Sequence, residues 1–217
     1  MNQFDFTGKI KSALGIMIGV GFASIILGMA FADHSALRIW SNVLHNSVFF
    51  TGIAFISFFL LCAKSLAYSG WHSQFRRLWE AYAQFLPVSI GLFLVIIIGM
   101  FTGWHHLYEW AVPEVVEGDK LLKHKSSLLN VRNYIICSVV VVGVWYVFVY
   151  LYRKISLQED REGGLATFKK TKILSGVFLP VGGFSSVFVI MLWVMSVDPH
   201  WYSTLFFWYN AASWLVA

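Results

Sequence analysis

The feature that most constrains this chain is a series of apolar runs, each about 20 residues long, in which charged residues are absent or confined to the ends. A bilayer's hydrocarbon core is about 30 Å thick, and a helix rising 1.5 Å per residue needs about 20 residues to cross it. Such runs occupy residues 12–31, 43–63, 81–104, 133–152 and 173–197, and a sixth, 201–217, reaches the last residue. A helix satisfies its backbone hydrogen bonds internally, as lipid demands. The expected fold is therefore all-α, a polytopic transmembrane helical bundle of about six spans forming one integral membrane domain over residues 1–217. Composition excludes a soluble reading. The chain is 58% hydrophobic and 12% charged, against about a quarter charged in soluble domains, so too few polar residues are present to cover a globular surface.

The first run is too long for the core of a cleavable signal peptide, and no clear A-x-A site follows it, so it reads as the first membrane helix. The last run stays apolar through Trp214-Leu215-Val216-Ala217. A terminal span usually finishes in polar or basic anchors, so the expectation is the N-terminal part of a longer chain.

Loop charges set the orientation. One side carries Lys9, Lys11, Lys64, Arg76, Arg77, Arg153, Lys154, Arg161, Lys169, Lys170 and Lys172. The other carries Arg38, Lys120, Lys123, Lys125 and Arg132. The positive-inside rule puts the richer side, and the N-terminus, in the cytoplasm. The basic excess faces anionic lipid, and no nucleic acid is needed to explain it.

Local patterns add detail. Trp71, Phe75, Leu78 and Trp79 recur at helical spacing beside Arg76 and Arg77, which predicts a short helix in the cytoplasmic interface. Residues 112–132 read as a solvated, partner-facing loop. Gly15-x-x-x-Gly19 and Gly99-x-x-x-Gly103 read as helix-packing seams, and Pro87 and Pro180 as kinks. Cys62 and Cys137 fall near opposite faces, too far apart for a disulfide, and read as small core residues.

Ionisable groups at membrane depth are functional candidates by default. On the non-cytoplasmic side they are His45, His105, His106, Asp198 and His200; Lys64 and Glu80 border the cytoplasm. The histidines lie at the rims of spans, whereas ligands of a b-type haem sit well inside facing helices, so haem ligation is disfavoured. No hydrolase, metalloprotease or nucleotide-binding motif is present. Each candidate has a plain structural alternative. Asp198 can cap a turn in Asp198-Pro199-His200, Arg76, Arg77 and Glu80 can anchor the interface, and Lys64 can snorkel.

An ordered series of short motifs points to a family. Trp40-Ser-Asn42-Val-Leu44-His-Asn46 is followed by Phe49-Phe50, Gly70-Trp71, Arg76-Arg77-Leu-Trp-Glu80-Ala81 and Phe85-Leu86-Pro87. Then come Leu107-Tyr108-Glu109-Trp110 and Ser196-Val-Asp198-Pro199-His200-Trp201-Tyr-Ser-Thr204. From about residue 36 onward the chain resembles the second large polytopic membrane component of alternative complex III, the bacterial quinol:cytochrome c oxidoreductase. That component is similar to NrfD-like, polysulfide-reductase-type membrane subunits. The resemblance implies about ten helices in the complete protein and a place in the bacterial inner membrane. It implies a sister NrfD-like membrane subunit, a periplasmic iron–sulfur/molybdopterin-like subunit and multihaem cytochrome subunits as partners, with a terminal oxidase as a further one. Haem and iron–sulfur clusters would sit on those partners and none on this chain; quinone or quinol is the small molecule it implies here. Proton-path or quinone candidates are then Asp198, His200, His45 and His105 on the periplasmic side and Glu80, Arg76 and Arg77 on the cytoplasmic side. Two other classes stay open. A secondary transporter would use a broken helix, for which Pro180-Val-Gly182-Gly183 is the place. A structural membrane anchor would carry no site.

Overall fold

The computed structural model describes residues 7–31 and 36–217, and among these every regular element is helical. Helix α1 (Gly8–Phe31) and the 31-residue α2 (Ala36–Leu66) come first, then α3 (Arg76–Ala83) and α4 (Leu86–Phe101). Two short helices, α5 (Pro113–Gly118) and α6 (Lys120–Lys125), precede the long pair α7 (Val131–Glu162) and α8 (Leu165–Trp193), and α9 (Phe206–Val216) closes the chain. Five stretches are long and apolar enough to cross a membrane: Gly8–Gly28, Leu37–Leu66, Arg76–Phe101, Val131–Glu162 and Leu165–Val197. The chain is a multi-pass helical membrane protein. The sixth expected run forms only the 11-residue α9, about 16 Å long, which is half a crossing.

Helices α2, α4, α7 and α8 form a closed four-helix ring in which α2 touches α4 and α8 while α7 touches the same two. Successive members run in opposite directions. The α7–α8 turn is only Gly163-Gly164, with φ of +61° and +97°, a conformation in which a Cβ is strained. Lipid tails are as apolar as leucine, so close packing rather than escape from water holds such helices together. The ring's centre is accordingly dense with aromatic rings. Phe55 lies 4.2 Å from Trp145 between ring centroids, Phe58 lies 4.5 Å from Phe178, and Phe58 meets Tyr152 edge-on at 5.5 Å. The hydroxyls of Ser47, Thr51, Ser57 and Ser65 on α2 donate to carbonyls four residues back. They enter the core without being left unpaired.

Several expectations change. Residues 71–79 do not form one interfacial helix. Gly70–Gln74 is a 3₁₀ turn and α3 starts at Arg76. Trp71, Phe75 and Leu78 stay exposed, with the Lys64 ammonium 4.9 Å from the Trp71 ring, while Glu80 is buried. Pro87 opens α4 rather than kinking a single helix, because it lacks the N–H that would bond the Ala83 carbonyl. Pro180 sits inside α8 without breaking it. Residues 112–132 are not a free loop. They form α5 and α6, bury Leu122, and fold back so that Lys125 Nζ donates to the Pro199 carbonyl at 2.7 Å. Gly15 and Gly19 have open space beside them, and no residue of α1 between Gly8 and Gly28 is buried. Gly103 lies just past the end of α4 at φ +68°, while Gly99 seats Trp40 and His105, each of which a Cβ would meet at 2.7 Å. Cys62 and Cys137 are both free thiols.

Candidate functional site

The candidates fall into two groups at opposite ends of the ring. At the basic end, α3 puts Arg76, Arg77 and Glu80 on one face, since residues three and four apart are helical neighbours. Glu80 is only 2% exposed. Its carboxylate accepts from Arg76 Nε at 3.3 Å, Arg77 Nη1 at 2.7 Å, Arg153 Nη1 at 2.6 Å and Ser156 Oγ at 2.5 Å. Arg76 Nη1 also donates to Glu159 at 2.6 Å, and Arg77 pairs with Asp160. Three guanidinium groups thus face three carboxylates, which removes the cost of burying a lone charge. The structure brings these predicted residues against α7.

A trail of hydroxyls leads inward from the cluster. The Arg76 guanidinium lies 5.6 Å from the centre of the Tyr152 ring, whose hydroxyl is 3.0 Å from Ser65 Oγ. Cys62 lies one turn deeper on α2, beside Ser175 of α8. Three buried polar atoms among the described residues have no partner: Arg76 Nη2, Thr171 Oγ1 and Ser175 Oγ. All three lie at this end. Buried polar groups left without protein partners are where ordered water is held. The trail stops at the layer of Phe55, Phe58, Trp145 and Phe178.

At the other end the histidines separate into different roles. His105 is buried, and both its nitrogens are used. Its Nε2–H donates to the Ile96 carbonyl at 3.0 Å, and its Nδ1 accepts from the Leu107 N–H at 3.3 Å. Burial pushes its pKa down and keeps it neutral. It is a packing residue, not a rim site. His200 is exposed and pairs through Nε2 with Asp119 at 2.7 Å. Asp119 is held below the usual carboxylate range, first by the Leu121 backbone N–H and also by His200. Asp198 Oδ1 accepts from the backbone N–H groups of His200 at 3.2 Å and Trp201 at 3.3 Å. That is the turn-capping geometry, and it uses one of the two carboxylate oxygens.

His45 and Asp198 line a shared pocket of about 540 Å³, within the usual range for small-molecule sites. Ser41, Asn42, Asn210 and Ser213 supply further polar groups, and Leu44, Val48, Phe49, Trp201 and Trp214 supply apolar wall. Among the described residues no lysine or arginine lines it. His45 sits nine residues, two and a half turns, inside α2. The Leu107-Tyr108-Glu109-Trp110 motif braces the floor. Tyr108 donates to the Trp193 carbonyl at 2.8 Å and meets Tyr134 at 3.1 Å, while Trp110 Nε1 donates to the Ser196 carbonyl at 3.0 Å. Burial raises the Tyr108 phenol well above its ordinary pKa.

Sequence reasoning missed Arg153, Ser156 and Tyr152 as partners of the Glu80 cluster, and Asn42 and Asn210 as pocket residues. One signal was present. Thr167, Thr171 and Ser175 recur every four residues along α8, the spacing of a polar stripe on one helix face. Among the described residues no group of three or more His, Cys, Asp or Glu side chains stands close enough to hold a metal ion. No protein-family model and no curated protein matches the chain.

Proposed function

We propose that the chain is a membrane component of a quinol-oxidising electron-transfer complex of the bacterial inner membrane, related to alternative complex III. The observation that carries the reading is the pocket at the less basic end. Its polar groups, His45 and Asp198 first, share one lining with the apolar side chains of Leu44, Val48, Phe49, Trp201 and Trp214, the mixture a hydroquinone requires. A lining without lysine and arginine disfavours a phosphate-headed lipid. His45 and the second oxygen of Asp198 take the hydrogen bonds of the two hydroxyls, and then the two protons, as the quinol gives two electrons to a redox centre on a partner protein. At the opposite end, the trail from Glu80 through Tyr152 and Ser65 to the unpartnered Ser175 and Thr171 supports proton uptake into the bundle. The bare α1, with space beside Gly15 and Gly19, fits packing against a sister membrane subunit. The transporter reading loses its main support because α8 runs unbroken through Pro180.

Gentle detergent extraction of the native protein tests this. Co-purification of multihaem and iron–sulfur subunits with quinol:cytochrome c activity is the expected result. A chain that emerges with unrelated partners overturns it. Within an assembled complex, Asp198→Asn is expected to slow quinol-driven turnover while leaving subunit composition intact; unchanged turnover rules Asp198 out.

A further inference from the structure

A surface groove at the less basic end holds one cation and no counter-charge. It encloses about 230 Å³ between the end of α6, the end of α8 and the turn that follows Asp198. Along one wall Phe188, Met191 and Leu192 of α8, and Met195 just beyond it, recur at intervals of three, one and three, the spacing of one helix face. All four belong to the apolar span Leu165–Val197, so this wall lies at membrane depth. Trp201 and Tyr202, 46% and 63% exposed, border the groove. These are the residue types that favour the boundary between membrane and water.

Lys125, half-buried, closes α6 beside that wall. Its ammonium donates to the Pro199 carbonyl at 2.7 Å, a neutral acceptor that occupies one of three N–H groups. Among the described residues no carboxylate stands within ion-pair distance of Lys125, and none lines the groove. A charge drawn part-way out of water without an opposite charge is costly. An anion held at the interface, with a hydrocarbon body reaching inward, satisfies both the ammonium and the wall below it.

We propose that this groove binds an anionic phospholipid of the non-cytoplasmic leaflet, with its phosphate on Lys125 and one acyl chain along Phe188, Met191 and Leu192. A dissolved anion gains nothing from the apolar wall, and an apolar helix of a partner brings no charge to the ammonium. Bulk lipid wets the wall as well as a bound acyl chain does, so selectivity comes from the head group. Phosphatidylglycerol has one net negative charge to match one lysine, whereas the choline of phosphatidylcholine cancels its own phosphate. One lysine at an anionic surface is worth about five-fold in affinity. Met195 and Trp201 line both this groove and the polar pocket, so the lipid braces from outside the wall that carries Asp198. The lipid site holds whatever the polar pocket binds.

The test uses two photoactivatable probes with identical diazirine-bearing acyl chains, one phosphatidylglycerol and one phosphatidylcholine, each mixed into nanodiscs holding the protein. After irradiation, mass spectrometry of the peptides maps the labelled residues. The glycerol probe should label Phe188 to Tyr202 about five-fold more than the choline probe. Lys125→Gln should abolish that preference, since its amide still donates to the Pro199 carbonyl but has no charge, and Lys125→Arg should keep it. Leu128→Glu sets a carboxylate one helical turn from Lys125 on an exposed position and should abolish the preference without touching the Pro199 contact, which keeps the test open should Lys125→Gln fail to fold. Equal labelling by the two probes, or a preference that survives Lys125→Gln and Leu128→Glu, overturns the proposal. So does an absence of label between Phe188 and Tyr202, which leaves the groove to a partner protein.

Discussion

Replacing Glu80 by glutamine removes one negative charge from a site that holds three carboxylates against three guanidinium groups. Glu80 is 2% exposed and is contacted by Arg76, Arg77 and Arg153 at 3.3, 2.7 and 2.6 Å. The amide keeps the shape but points an N–H₂ at donors that had a carboxylate, leaving at least one guanidinium N–H without an acceptor. Breaking a buried pair from one side costs about 3–5 kcal/mol. The Arg77 and Arg153 side chains are 40% and 38% exposed, and water screens that part of the interaction, which favours the lower end. Glu80→Gln should therefore lose about 3 kcal/mol, on the order of 100-fold in the folded-to-unfolded ratio. Reversible unfolding in mixed micelles, followed by circular dichroism during an SDS titration, measures this. A double-mutant cycle with Arg153→Gln isolates the pair, and its coupling should exceed about 1 kcal/mol, the most an exposed pair contributes. A Glu80→Gln variant within about 1 kcal/mol of the parent, or zero coupling, would refute the picture of a buried carboxylate organising this end.

Three further outcomes follow from single contacts. Gly99→Ala places a Cβ 2.7 Å from Trp40 and His105 and should cost about 1–3 kcal/mol in the same titration, whereas Gly15→Ala, which meets nothing, should be neutral. His105 has a folded-state pKa below its ordinary value, so its neutral form is the one that fits. Its contribution is complete above about pH 6.5, the unfolded value, and is lost as pH falls from there towards the folded pKa; His105→Gln should flatten that part of the stability profile, and an unaltered profile would exclude the assignment. Ser175→Ala and Thr171→Val remove hydroxyls that have no protein partner, so stability should change by less than about 1 kcal/mol, while, on the proposed function, proton uptake by the reconstituted complex, read with a pH-sensitive dye, should slow.

The five long spans were legible because hydrocarbon thickness leaves few choices of helix length. The Arg76, Arg77 and Glu80 trio was legible as a group because three- and four-residue spacing is local. Arg153, Ser156 and Glu159 were not, because they lie more than 70 positions away and reach the trio only once α7 closes the ring. His105 misled for a related reason. A histidine after a span reads as an interface residue until the chain turns at Gly103 and returns it beneath Trp40. Nothing local distinguishes His45, which lines a pocket, from His105, which fills a gap. The difference lies in whether a distant element, here α9 with Asn210 and Trp214, leaves room beside the ring.

The layer of Phe55, Phe58, Trp145 and Phe178 has an electrical meaning as well as a packing one. A membrane voltage drops mainly across whatever part of the path polarises least. With polar, hydratable groups on either side, that part is this aromatic slab. The bundle then behaves like a capacitor whose plates have been brought close together. A charge crossing the full voltage does about 2.3 kcal/mol of work per 100 mV. On the proposed proton route, a charge moving from Glu80 towards Ser175 stays on one side of the rings and should feel little of it. Voltage dependence in such a bundle would mark the step that passes the rings.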